Sequence, residues 1–252
     1  MLSNMDLKKE FGKHIGLFPF IEKNIEGASI YFSASQYAWS LKSHQTVVNG
    51  DKIKINANDT TIIFTEETIA IDKYFVGTCH TKVSYTVKGL SMSSTPIKPG
   101  WTGRLLIVLH NNSDADMEIK VGDTIAVIML YKLKKAATFS DEKGGGGRFD
   151  LLASLGIQIT DEMLQELNQR HYVNRDDVLR KMREDESFKN YMKDKKHDSW
   201  LILTIVVVLI TIIEMGILIF DYVATKQING IVALLWAPTL AFLSMLVSKR
   251  LN

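Results

Sequence analysis

The 252-residue sequence predicts a mainly β domain, then an α-helical connector, then two transmembrane helices. Three observations carry this reading. Between about Ile21 and Leu133, short β-prone runs alternate with turn residues; after Gly144–Gly147 the apolar spacing becomes helical; and from Leu201 onward charged residues nearly vanish. The predicted boundaries are a β domain over 1–139, a Gly-rich linker over 140–149, a helical connector over 150–198 and a transmembrane hairpin over 199–249.

The opening MLSNMDLKKEFGKHIG carries charges too early for a secretory signal. The expected strands are ASIYFSA, QTVV, KIKI, TTIIFT, ETIAI, RLLIVLH, MEIKV and TIAVIMLY. NGD at 49–51, NAND at 56–59, NNSDAD at 111–116 and VGD at 121–123 supply turns, since Asn, Asp and Gly tolerate tight or left-handed backbone. Many short strands with no helical pattern between them imply a sandwich or barrel and exclude a parallel α/β sheet.

In the connector, Thr160 is positioned to cap a helix bearing Met163, Leu164 and Leu167 on one side. A second helix is predicted from Asn174, with Asp176 and Asp177 in its first turn and Val178, Leu179, Met182, Phe188 and Met192 as its apolar positions. Its charged run KMREDESFK reads as a solvated face held by i to i+4 pairs.

Leu201–Phe220 contains one charge before Asp221, at Glu214, and within Leu201–Ile213 only Thr204 and Thr211 are polar, so no polar face exists for a water-exposed core helix. Ile231–Val247, interrupted by Trp236 and Pro238, is close to the lower limit of the roughly 17–25 residues that span a bilayer. Lys189, Lys193, Lys195 and Lys196 precede the first span, Lys249 and Arg250 follow the second, and only Lys226 lies between. This bias places both termini in the cytoplasm of a two-pass membrane protein, with a bacterial inner membrane as the expected location. Glu214 then lies roughly 21 Å into the membrane, at ~1.5 Å per residue, where a carboxylate is costly and faces a bundle interior or reaches the outer headgroups.

The formal charge of +2 and the lack of a long basic run give no electrostatic case for nucleic acid. A single cysteine, Cys79, excludes an internal disulfide, and neither His80 nor His110 has a second ligand at metal-binding spacing.

Gly77–Leu133 carries an ordered set of signals: Thr81, Lys82 and Ser84, then Lys88-Gly89-Leu90, then the turn Ile97-Lys98-Pro99-Gly100-Trp101-Thr102-Gly103, an apolar strand ending at Asn111, and Val121-Gly122-Asp123-Thr124-Ile125-Ala126. In this order they resemble the dCTP deaminase and trimeric dUTPase superfamily, with weaker similarity back to about Gly27. The resemblance implies a dUTPase-like distorted jelly-roll β domain, a homotrimer, and deoxynucleotide sites at subunit boundaries. It places Thr81, Lys82 and Ser84 where the family gathers phosphate oxygens.

Departures from the family pattern shape the functional expectation. Lys98 replaces the acidic residue of the turn, Val108 stands at the general-base glutamate, Val127 at a pyrimidine-reading glutamine, and Tyr31 at an early aspartate. Water attack on the pyrimidine or on a phosphate needs a positioned base, which valine and lysine cannot supply. Glu66, Glu67 and Asp72 are the remaining candidate bases, although carboxylates at strand ends usually face solvent. The glycine tract sits where the resemblance places a nucleotide-covering arm, but reads as a flexible linker, with Arg148 a candidate phosphate contact.

The expectation is therefore a membrane-anchored receptor or effector whose degenerate domain binds a nucleotide through Thr81, Lys82, Ser84, Lys98 and Arg148. It needs no cofactor beyond a magnesium ion accompanying the phosphates, and its partners are the lipid bilayer and two further copies of itself. The alternatives are an active membrane-tethered dCTP deaminase or dUTP pyrophosphatase, and an oligomeric membrane scaffold without a nucleotide ligand.

Overall fold

The computed structural model describes residues 1–138, 149–163 and 174–225. The elements are, in order, α1 (Asn4–Glu10), β1 (Ile15–Phe18), β2 (Ile25–Glu26), β3 (Ser29–Ser40), β4 (Val48–Asn49), β5 (Lys52–Ile55), β6 (Thr60–Ile71), β7 (Phe75–Thr81), α2 (Val83–Thr86), β8 (Leu90–Met92), β9 (Pro96–Ile97), β10 (Thr102–Asn111), β11 (Met117–Lys120), β12 (Thr124–Lys132), α3 (Phe149–Ser154), α4 (Arg175–Glu184) and α5 (Glu186–Thr225). A 3-10 turn, Glu22–Asn24, precedes β2.

In the mainly β, jelly-roll-like architecture one long strand, β3, turns from one layer into the other. A nine-stranded sheet runs β8-β10-β6-β3-β12-β7-β9, with β1 on β6 and β2 on β3, and a small sheet runs β11-β5-β4. β3 pairs through Ile30–Ser33 with β12, then shifts register between Ala34 and Ala38 and pairs through Ala38–Ser40 with β6. Such an irregularity re-aims a strand without ending it. Both layers press their apolar rows inward: Ile30, Phe32, Ile63, Ile69, Ile107, Leu109, Ile125 and Ile128 are all essentially buried.

Several expected boundaries shift. TTIIFT and ETIAI form the single strand β6, because the polar Thr65-Glu66-Glu67 between them stays in the sheet: Thr65 and Glu67 are buried, and the Thr65 hydroxyl donates to Glu67 O at 2.8 Å. QTVV contributes only its last residue, Val48, to the two-residue strand Val48–Asn49. α1, β1, β2, β7, α2, β8 and β9 have no counterpart among the expected elements. α1 opens with a capping box in which the Ser3 hydroxyl accepts from the Asp6 N–H and Asp6 Oδ2 accepts from the Ser3 N–H.

The chain divides into two compact units, Met1–Lys189 and Asn190–Asn252. α3 belongs to the first, and its Leu152, with Ile157, closes a cluster over Tyr37, Trp39, Ile62 and Phe64. Thr160 does cap the chain after it, accepting from the Met163 N–H at 3.2 Å. α4 starts from an Asn174 cap and buries Val178, Leu179 and Met182, as its spacing predicts. The expected solvated face of KMREDESFK is only part of the picture. Lys181–Glu184 and Lys189–Glu186 pair at i to i+3, whereas Arg183, Asp185 and Phe188 bind the β domain.

In the second unit, the first expected span lies within the helix α5. Described side chains there include Ile205, Val206, Val208, Leu209, Ile210, Ile212, Ile213, Met215, Ile217, Ile219 and Phe220, each 45% or more exposed. Among the described residues, no helix is long and apolar enough to cross a membrane. The side chain of Glu214, the linker with Arg148, and the second expected span lie outside the described residues.

Candidate functional site: a cleft on the β3–β12–β7 face

Three neighbouring strands place one row of side chains on a common outer face. Val127 on β12 is the register partner of Tyr31 on β3 and of His80 on β7, and two residues further along β12 Met129 shares that face. Their inward neighbours Ile128 and Cys79 are buried, which fixes the orientation of the row. Where β7 ends, Thr81 and Lys82 turn the chain into α2, so that Val83 and Ser84 rise as a rim. The result is a cleft of about 450 Å³ lined by Tyr31, His80, Thr81, Lys82, Val83, Ser84, Val127 and Met129.

Lys82 is the permanent cation of this lining. Its ammonium donates to the Thr124 hydroxyl at 2.7 Å and lies 5.8 Å from the centre of the Tyr31 ring. An aromatic face and one hydroxyl hold the side chain without neutralising it, leaving its charge available to an anion. His80 uses Nε2 toward the Thr78 hydroxyl at 2.9 Å. None of the lining side chains is a carboxylate.

The structure thus gathers Thr81, Lys82 and Ser84 at one cleft, together with Tyr31 and Val127. It does not bring Lys98 there. Gly77 pairs with Ile97, so the exposed Lys98 stands near the opposite end of β7, about 17 Å from Thr81 at ~3.4 Å per residue. Val108 is also elsewhere, half-buried against the Trp39–Phe64–Leu152 cluster.

The candidate bases are not at the cleft either. Glu67 is not at a solvated strand end: it is 1% exposed, and its Oε2 accepts from the Ser33 N–H at 2.7 Å. Burial outweighs these hydrogen bonds and pushes its carboxyl up to about 7. Asp72 sits at the end of β6, 2.6 Å from His14 Nδ1, and accepts from the Tyr74 N–H. Cys79 lies beneath the cleft floor, where burial pushes its thiol up to about 12 and suppresses thiolate chemistry.

Thr124, Met129 and His80 were missed in the sequence as parts of the site. For Met129 a signal existed, since TIAVIMLY sets it two residues from Val127; for Thr124 none did, because the β12 register shifts between Thr124 and Ala126.

The sequence model of the dCTP deaminase-like family matches residues 1–133, just over half of the chain. The chain belongs to this family. The dCTP deaminase of Pyrococcus horikoshii is 25% identical over 122 residues, covering 48% of this chain and 78% of that one. The Campylobacter jejuni dCTP deaminase is 23% identical over 163 residues, covering 55% and 88%. Among solved structures, the chain is similar to the 2'-deoxycytidine 5'-triphosphate deaminase of Agrobacterium tumefaciens, at TM-score 0.44 and 12% identity over 51% of this chain and 46% of that one. It is also similar to the EIAV dUTPase, at TM-score 0.38 and 19% identity over 50% and 93%. The family model of this dCTP deaminase-like chain ends at Leu133, before α3, α4 and α5.

Proposed function

We propose that this dCTP deaminase-like chain is a membrane-anchored receptor whose cleft binds a nucleotide without turning it over, and whose long apolar helix is the output. The observation that carries the reading is the cleft chemistry: a held but unneutralised Lys82 ammonium, hydroxyls at Thr81 and Ser84, an aromatic and aliphatic floor of Tyr31, Val127 and Met129, and no carboxylate in the lining. A phosphate oxygen fits the ammonium and hydroxyls, and a planar base fits the floor. Deamination or phosphate hydrolysis would further require a base to activate water, and counting along the resemblance from Gly103 would put Val108, which packs against an apolar cluster, at the general-base position.

Magnesium would arrive with the phosphates of a ligand. Among the described residues, no group of three or more His, Cys, Asp or Glu side chains is placed to hold a metal ion. Lys98 and Arg148 would contribute from a neighbouring copy or from the linker in a homotrimer.

Anchoring rests on α5. Exposed aliphatic side chains along its length suit contact with lipid better than contact with water. In a homotrimer three copies of α5 would come together, and a ligand preferring one packing of them would shift the population toward it.

The test uses the full chain in detergent micelles, challenged with a nucleotide panel while melting temperature and product formation are followed. Stabilisation without turnover, lost in Lys82→Ala, is the expected result. Turnover that disappears in Glu67→Gln or Glu66→Gln would replace the receptor by a tethered deaminase or pyrophosphatase, as the family membership favours. No response to any nucleotide would leave a scaffold.

A further inference from the structure

The loop before β1 and β1 itself form a cradle for the connector. A Cβ on Gly16 would meet Val178 Cγ1 at 3.0 Å, and one on Gly12, which also has φ +74°, would meet the Phe188 ring at 3.0 Å. Bare backbone at these two positions lets α4 and the first turn of α5 settle directly on the β domain.

Polar contacts lock that approach. Arg183 donates from Nε and Nη2 to Gly12 O at 2.9 and 2.6 Å, and Arg175 Nη2 donates to Lys13 O at 2.6 Å. Asp185, in the break between α4 and α5, accepts from the Phe20 N–H through Oδ2 at 3.3 Å and from the Ser187 N–H through Oδ1 at 2.8 Å. One carboxylate therefore holds the β domain and the start of α5 together. Beside it, the buried Phe188 ring meets Phe20 edge to face at 5.2 Å, and Phe20 meets Phe11 at 5.8 Å.

The same cradle touches the far ends of the cleft strands. β7 and β12 pair from Thr81↔Ala126 at the cleft to Phe75↔Lys132 at the other end. There Lys132 lies 2.6 Å from Glu10 and 5.6 Å from the centre of the Phe75 ring, and the His14 ring lies 6.0 Å from Phe75. Glu10 and His14 flank Gly12.

We propose that residues 10–20, α4 and the first turn of α5 form a transmission joint, through which β7 and β12 pass a change at the cleft to the long helix. Its direction rests on the cleft being the ligand site. Packed side chains, hydrogen bonds and ion pairs of this kind are the contacts through which coupling between distant sites travels.

Hydrogen exchange of residues 175–193 in the full chain in micelles tests the joint in two arms. Without ligand, Lys132→Met, which removes the contact to Glu10, is expected to raise exchange there by about threefold or more while leaving β6 and β10 unchanged. Wild-type exchange in that variant would overturn the joint. With millimolar dCTP or dUTP, a wild-type chain that shows a melting shift is expected to change its exchange over 175–193. Gly16→Val, or the milder Arg183→Ala, is expected to keep the melting shift and lose the exchange response. A wild-type shift without that response overturns the joint and leaves the ligand site standing. Absence of any shift removes the ligand site instead, and the Lys132→Met arm alone then decides the joint.

Discussion

Two buried carboxylates respond to their surroundings in opposite directions. At Asp59, burial raises the proton affinity, but hydrogen bonds from the Ser40 hydroxyl, the Thr60 N–H, the Asn56 amide and the Lys42 N–H outweigh it and hold the carboxyl below its ordinary value. Its contribution to stability is present above the unfolded carboxylate range and is lost as pH falls. Glu67, raised from 4.5 to about 7 chiefly by burial, contributes stability that is full below about pH 4.5 and is lost as pH rises through 7. Stability is therefore expected to decline between about pH 5 and pH 8 by about 3 kcal/mol, and Glu67→Gln is expected to flatten that decline in urea titrations at the two pH values. At the cleft, Lys82→Ala removes the one permanent cation. Nucleotide affinity is expected to fall by about tenfold or more in calorimetric titration, since a charge-assisted hydrogen bond contributes roughly 1.5–3 kcal/mol.

At the scale of elements, α3 is an integral part of the β domain. Leu152 is fully buried over Trp39 and Phe64, and its truncation leaves a cavity in a packed cluster. Leu152→Ala is expected to cost about 2–5 kcal/mol in denaturant unfolding. Substituting the outward Leu155, 38% exposed one turn later, is expected to change stability by no more than about 0.5 kcal/mol. The contrast checks whether the segment after the glycine tract is docked or merely tethered. The connector helix α4 follows the same logic. Its apolar spacing predicts Val178, Leu179 and Met182 as a buried face, and tertiary contact then recruits charged neighbours such as Arg183 that local pairing rules assign to solvent.

For the whole molecule, the proposed anchor makes a prediction independent of any ligand. The full chain is expected to float with liposomes and to resist alkaline extraction, and a chain ending at Lys189 is expected to lose both properties. Crosslinking in micelles is expected to yield a trimer. The sequence by itself determined the β character, the composition step at the apolar helix, the caps at Thr160 and Asn174, and the ordered signals that led to the dCTP deaminase-like family. All of these are written in local spacing, where periodicity, turn residues and caps act within a few positions. Only the tertiary structure decided that Tyr31, Lys82 and Val127 share one cleft while Lys98 and Val108 do not, because strand register joins residues far apart in the chain. It alone buried Glu67 in a continuous β6 and seated α4 on Gly12 and Gly16, since both depend on which surfaces exclude water from each other, a property no short stretch of sequence contains.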